Sequence, residues 1–246
     1  MSRVFGEVAA LYDDVRFDYP AEALDALTAF HGSVPAPVAD LGAGTGKATE
    51  LWLRLGVPVT AVEPDPRMAG VLAQKFPTAE VVTATFEQWT PPPHSFGLVA
   101  CATAWHWFDP ATRSRRVHSA LAPRGTLAIL HNRHGFADPL QQQALDRIFQ
   151  SVDPAQTVDD RPVDWARAEI EDSGLFAATE VHEWHRHPVL SKEEYLRLVQ
   201  TFSTFRRHSP DDQQFLRTEL AAAIDDWGGT LRLDLHTVLV LGRAAP

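Results

Sequence analysis

The run Val38-Ala39-Asp40-Leu41-Gly42-Ala43-Gly44-Thr45-Gly46 constrains this chain more than any other stretch. Its apolar start has the length and character of a buried parallel strand, three glycines follow at alternate positions, and Lys47 to Leu53 opens a helical pattern behind them. Strand, glycine turn and helix in that order make a ligand loop. Glycine tolerates positive φ and lets a ligand approach more closely than a Cβ permits, and the helix start offers unpaired N–H groups. Three ligand classes compete with the plain alternative of a strand-to-helix connector. A phosphate-cradling P-loop needs glycine where Leu41 stands and Ser or Thr where Ala48 stands, so it fails twice. A dinucleotide fingerprint needs a third glycine where Lys47 stands, which disfavours a Rossmann NAD(P)-dependent oxidoreductase. G-x-G-x-G behind an acidic strand remains.

The 246 residues suffice for one substantial core, and the uninterrupted pattern favours a single α/β domain spanning 1–246. Acidic residues outnumber basic ones by 32 to 22, and the net charge of −10 disfavours nucleic acid and anionic membrane as partners, leaving small molecules. The single cysteine, Cys101, excludes an internal disulfide framework, and the first residues lack a charged leader with a long apolar stretch, so a cytoplasmic location is expected. No apolar run approaches the ~20 residues of a membrane span. Oligomeric state is not legible in the sequence.

Val4, Phe5, Val8, Leu11 and Tyr12 recur at helical spacing, which predicts an amphipathic helix over 3–12. Helices are also predicted over 21–30, behind the glycine loop to residue 55, and from Pro66 with Asp65 as its cap. Strands are expected over 57–62, 79–83 and 95–102, with a turn and a fifth strand over 121–130. Asp109-Pro110 is expected to cap a helix whose Arg113, Arg115 and Arg116 face solvent. Helices over 138–151 and 161–173, a strand over 179–189, helices opened by Ser191 and Ser209, and a final strand over 237–241 complete the pass. Glu63 ends the second strand about twenty positions beyond the first glycine, where a carboxylate can accept two hydrogen bonds from a ribose diol. Its alternative role is to cap the helix near Pro66, for which Asp65 suffices.

Asp40 to Gly46 resembles motif I of the class I S-adenosylmethionine-dependent methyltransferases. Tyr12-Asp13-Asp14-Val15-Arg16-Phe17-Asp18-Tyr19-Pro20 is similar to the Tyr-x3-Arg-x2-Tyr-Pro element that closes the cofactor pocket in many small-molecule members; a helix packed outside the sheet explains the same spacing. Ala104-Trp105-His106-Trp107-Phe108-Asp109 is similar to a signature of the members that resemble trans-aconitate methyltransferase, and Leu121-Ala122-Pro123-Arg124-Gly125-Thr126-Leu127 to a further family element. The resemblance spans residues 4–132 and implies a Rossmann-like, seven-stranded, mostly parallel sheet with an antiparallel final strand. It further implies an N-terminal helical lid over 1–20, a cofactor-binding half over 21–132, and substrate-pocket helices and last strands over 133–246. The implied cofactor is S-adenosyl-L-methionine, bound by Asp40, Gly42, Ala43, Gly44, Thr45, Gly46, Glu63, Pro64, Met68 and Ala102 together with Tyr12, Arg16 and Tyr19 of the lid. Where the family often has Asp-Ala-Glu, this chain has Thr85-Phe86-Glu87, so the Thr85 hydroxyl and the Phe86 N–H stand in for the adenine contacts, or Phe86 only packs. Gly97 replaces the Asp that relatives commonly place early in the fourth strand.

The implied reaction is methylation of a small molecule, on a carboxylate or hydroxyl oxygen first, on nitrogen or carbon otherwise; a non-catalytic cofactor-binding protein of the same fold is the remaining alternative. His106 is the candidate catalytic residue, as a base toward a hydroxyl or a cation toward a carboxylate, unless it only orders the strand end. Aromatic faces at Tyr12, Tyr19, Trp105 and Trp107 are available to a sulfonium. His182, His185 and His187 raise a metal hypothesis, since 185 and 187 share a strand face with Glu183, but the expectation is surface histidines without a metal.

Overall fold

The computed structural model describes residues 5–154 and 161–245. Arg3 and Val4 of the first predicted helix lie outside them. The elements in chain order are α1 (Ala9–Val15), α2 (Glu22–His31), β1 (Val38–Leu41), α3 (Thr49–Leu53), β2 (Val59–Val62), α4 (Pro66–Lys75), β3 (Glu80–Val82), β4 (Phe96–Ala102) and α5 (Arg113–Ala120). They continue with β5 (Leu121–Phe136), α6 (Pro139–Val152), α7 (Trp165–Asp172), β6 (Phe176–Arg186), β7 (Val189–Ser191), α8 (Lys192–Val199), α9 (Ser203–Arg207), α10 (Pro210–Asp226) and β8 (Thr230–Ala244).

The strands pair in the order β3-β2-β1-β4-β5-β8-β6, with short β7 added to the near end of β8. β1 to β5 run parallel and β8 enters antiparallel between β5 and β6, which is the expected mostly parallel sheet with a reversed final strand. β1 is buried along its whole length, as a central strand covered on both faces must be. Side chains of one parity, among them Leu41, Val99, Ile129 and Val240, pack under α5 and α7. Those of the other, Val38, Leu98, Leu130 and Leu239, pack under α2 and α3. A third cluster joins Leu145, Tyr195, Leu198, Leu216, Leu220 and Leu233, so the late helices share a core with the first half of β8. No helix among the described residues is long and apolar enough to cross a membrane.

The helix starts follow their caps. Asp65 accepts from the Arg67 N–H ahead of Pro66, Ser191 and Glu194 form a reciprocal capping box, and Ser209 accepts from the Asp212 N–H. Asp109 departs from expectation: its carboxylate binds the Ala111 N–H and the Thr112 hydroxyl within a turn, and α5 begins only at Arg113.

Gly97 has a steric cause. A Cβ there would lie 2.6 Å from the Ala36 nitrogen and 2.7 Å from its oxygen, both main-chain atoms with little freedom to move. Gly97→Ala is expected to lower the unfolding free energy by about 2 kcal/mol, as overpacking against fixed atoms does, and Gly97→Asp by more. Urea titration checks this; an unchanged midpoint for the alanine variant would mean that the loop before β1 yields freely.

Candidate functional site

The glycine loop rises from the carboxyl end of β1 and takes positive φ at Gly42, Gly44 and Gly46 (67°, 59° and 91°). The Gly42 and Ala43 N–H groups both donate to the Val62 carbonyl, tying the loop to the end of β2. A Cβ on Gly46 would meet the Phe76 ring at 2.8 Å, so this glycine serves the seating of the loop on α4. Gly44 faces the other way, and its N–H donates to Glu63 Oε2 at 2.9 Å. The second Glu63 oxygen accepts from the Asp65 N–H at 2.9 Å. Burial raises the Glu63 pKa, against the two backbone donors that favour its charged form. Each carboxylate oxygen thus spends one lone pair on a backbone N–H, that of Gly44 in the loop or that of Asp65 behind β2, and keeps another.

Above Glu63 opens a cavity of about 590 Å³. Of the residues singled out in the sequence, Gly42, Gly44, Glu63, Pro64, Met68, Thr85, Ala102, Tyr12, Arg16 and His106 line it. Six do not. Asp40 points beneath the loop toward α3, where its Oδ2 accepts from the Thr49 hydroxyl at 2.6 Å and its Oδ1 is buried. Burial raises its pKa to about 6. Ala43, Thr45 and Gly46 form the back of the loop. Phe86 is buried, stacked on Phe108 with ring centroids 4.4 Å apart, so its side chain packs rather than faces a ligand. Tyr19 turns its hydroxyl onto that of Thr103 at 2.8 Å and holds the wall residue instead of forming wall.

The turn Trp105–Trp107 places His106 outward on the rim, its ring 4.7 Å from that of Trp107, while Trp105 is buried. What holds the turn is Arg113. This residue is only 6% exposed, contrary to the solvent-facing role its helix suggested. Its Nη1 donates to the Trp105 carbonyl at 2.8 Å, and its Nε and Nη2 engage both oxygens of Glu169 on α7. Arg116 likewise turns inward, donating to the carbonyls of Phe86, Glu87 and Trp89 at 3.0 Å each; only Arg115 faces solvent.

Several wall residues lie outside the sequence motifs. Asn132 and His134 come from β5, and Phe202, Ser203 and Thr204 from the link between α8 and α9. Asn132 and His134 alternate with His131 and Arg133, a period of two that puts them on one strand face and that marks them in retrospect. Asn132 Oδ1 accepts from Thr237 at 2.6 Å. His134 lies between Phe17 and Phe202 with its Nε2 buried and without a hydrogen-bond partner among the described residues, and burial, then the charge of Arg16, push its pKa down to about 3.

The N-terminal segment lies over this cavity. Arg16 donates through Nε and Nη2 to the Thr201 hydroxyl and carbonyl, both at 2.8 Å, and its guanidinium sits over the rings of Tyr12 and Phe202. Ion pairs Glu7–Arg206, Asp13–Lys75, Asp14–Arg197 and Asp18–Lys47 fasten it to α9, α4, α8 and the glycine loop. Gly6 sits so close to Asp65 that a Cβ would fall 2.1 Å from its carboxylate.

Residues 39–129 match the family described as a methyltransferase domain. An uncharacterized methyltransferase of Mycobacterium tuberculosis (strain ATCC 25618 / H37Rv) is 38% identical over 135 residues, 54% of this chain and 53% of that protein. The trans-aconitate 2-methyltransferase of Rhizobium meliloti (strain 1021) is 32% identical over 124 residues, 49% of this chain and 48% of that protein. The matched stretch thus spans about half the length of these curated relatives. Among solved structures, a proposed type II methyltransferase from Anaeromyxobacter dehalogenans superposes with a TM-score of 0.63 at 22% identity, covering 94% of this chain and 99% of that one. The phosphoethanolamine N-methyltransferase 2 of Haemonchus contortus, in complex with phosphomonomethylethanolamine and S-adenosylhomocysteine, gives 0.54 at 17% identity over 98% of this chain and 57% of that one. Residues 39–129 thus carry the match to a methyltransferase domain, and the sheet around them has the fold of a solved methyltransferase.

Proposed function

We propose that this chain transfers a methyl group from S-adenosylmethionine to an oxygen of a small molecule, a carboxylate or a hydroxyl. The observation that carries the reading is Glu63, a buried carboxylate on the cavity wall with one lone pair per oxygen left after Gly44 and Asp65 are served. A ribose diol supplies the two donors that this arrangement lacks. The cradle fits the cofactor in a second respect: at Gly44 the bare backbone edge faces the cavity, with Met68 Cε only 3.5 Å from where a Cβ would sit.

When bound, the cofactor would supply an electrophilic methyl group on a sulfonium, with S-adenosylhomocysteine as the thioether leaving group once the methyl carbon bonds to the acceptor oxygen. The chain's own part is to align and to exclude water. Met68 and Pro64 offer an apolar seat for the adenine, the Thr85 hydroxyl a polar contact, and Tyr12 and Trp107 aromatic faces toward positive charge. Arg16 keeps Nη1 without a partner among the described residues and presents it to a carboxylate. Burial and the charge of Arg16 favour the neutral form of His134, which suits orienting an acceptor by hydrogen bonding rather than taking a proton. His106 on the rim is placed for proton removal from a hydroxyl acceptor; a carboxylate acceptor needs none. Residues 1–20 act as lid, 21–132 as cofactor half and 133–246 as acceptor half of one domain.

Calorimetric titration with S-adenosylmethionine and S-adenosylhomocysteine tests the reading, and failure of the folded protein to bind either one removes it. Once an acceptor is found by screening small carboxylates and phenols, His106→Asn separates the two acceptor types. With a hydroxyl acceptor, kcat falls about 10²-fold and the acidic limb of the pH profile disappears; with a carboxylate acceptor, both stay as in the wild type.

A further inference from the structure

Away from the cavity, the outer strands gather ligand-type side chains that neither strand holds alone. β6 and β8 pair with His185 directly opposite His236. Glu183 lies two residues before His185 and Asp234 two before His236, so all four project from one face. The two imidazole rings stack with centroids 4.1 Å apart and planes 15° apart. Each ring binds a carboxylate across the strands: His236 Nε2 to Glu183 Oε2 at 2.7 Å and His185 Nδ1 to Asp234 Oδ1 at 2.8 Å. One ligand atom from each of Glu183, His185 and His236 lies within 4.8 Å of the other two.

We propose that Glu183, His185 and His236 bind one borderline divalent cation, of the Zn²⁺ type, with water completing the coordination. Two imidazoles and one carboxylate suit Zn²⁺ and its neighbours, whereas Mg²⁺ and Ca²⁺ take all-oxygen sets. Ligand atoms about 2.1 Å from such an ion stand roughly 3.4 Å apart, so His236 Nε2 and Glu183 Oε2, now 2.7 Å apart, have to part a little, and the widest separation in the trio, within 4.8 Å, has to close. Glu183 and His185 are exposed and free to do this by side-chain rotation, on a backbone that the strand ladder already fixes. Asp234 has the place of the outer carboxylate that holds Nδ1 of a ligating histidine and leaves Nε2 for the metal. The nearest cation on the neighbouring strand, Arg133, directs its guanidinium to the carbonyls of Arg161 and Pro162.

The sequence pointed to His182, His185 and His187 and away from a metal. His182 instead projects from the opposite face and pairs with Glu180, and His187 stands 3.7 Å from Asp234. The decisive ligand, His236, comes from fifty residues downstream, about the distance at which spacing rules lose sight of a site. Its neighbour Thr237 holds Asn132 of the cavity wall, so a cation here braces β8 behind that wall.

The test is calorimetric titration of tag-free protein with Zn²⁺ alone in a non-chelating buffer, with Co²⁺ absorption as a readout of ligand geometry. One equivalent is expected to bind saturably and to raise Tm. His236→Gln and Glu183→Gln are each expected to weaken binding at least tenfold while circular dichroism stays native, and His182→Gln to leave it unchanged. Absence of saturable binding overturns the site, as does binding that survives both variants or falls equally in His182→Gln.

Discussion

Glu63→Ala is expected to weaken S-adenosylmethionine binding by about 10²- to 10⁴-fold. A charged acceptor contributes roughly 1.5–3 kcal/mol per hydrogen bond, and two such bonds to a ribose at about 1.4 kcal/mol per decade give that range. The same change strips the acceptor from the Gly44 and Asp65 N–H groups, which now hold the loop in register. Glu63→Gln keeps the volume but replaces one accepting oxygen by an NH2 group, which must face the N–H of Gly44 or of Asp65. The glutamine variant is therefore expected to bind nearly as poorly as the alanine variant. Stability of the alanine variant is expected to fall by about 1–3 kcal/mol, since two N–H groups lose their acceptor while burial already disfavours the charged carboxylate. Calorimetry on both variants, beside a urea titration of each, separates these effects. Wild-type affinity in Glu63→Ala would remove the ribose contact and with it the main support for the cofactor's position.

Much of the fold was legible because its signals are local. β1 shows as a short apolar run, α4 as an Asp-Pro start, and α8 as a capping box, and each of these depends only on residues a few positions apart. The reversed last strand followed from the family resemblance rather than from any pattern within it. The lengths of β5 and β8 were not foreseen. Their pairing runs from Thr126↔Arg243 to Phe136↔Leu233, well past the buried sheet, and the extra turns of ladder carry Asn132 and His134 to the cavity. Polar residues on a strand end look like the strand stopping, and only the late helices that pack against them reveal that it continues.

Side-chain direction was the harder part. Asp40 and Tyr19 sit where the motifs place them, yet each is turned onto a neighbouring hydroxyl, Thr49 in one case and Thr103 in the other. Spacing identifies which residues meet at a strand end; it does not say which of them faces the ligand and which braces the one that does. The arginines of α5 failed for a related reason. A row of charges on a helix is usually a solvated face, and nothing within nine residues of Arg113 announces the acid that it meets on α7.

That arginine carries the largest stability effect expected in this molecule. Arg113→Met removes the guanidinium that lies over Trp105 and Trp165 and that binds Glu169 and the carbonyl of Trp105. Breaking a buried pair on one side leaves an uncompensated carboxylate and costs about 3–5 kcal/mol. For a chain of this size that corresponds to a fall in Tm of roughly 10 °C. Glu169 is partly open to water, with 23% of its side chain exposed, so the lower end of the range applies. Arg113→Met combined with Glu169→Leu is expected to recover part of the loss, since no charge is then stranded, whereas Arg115→Met on the exposed face stays within about 0.5 kcal/mol of the wild type. The loss also reaches the site: without its anchor the Trp105–Trp107 turn frays, and His106 and Trp107 leave the cavity rim. Cofactor affinity of Arg113→Met, measured well below its melting point, is then expected to fall as well. A variant that melts within two degrees or so of the wild type and binds normally would show that the turn is held by the packing of Trp105 alone.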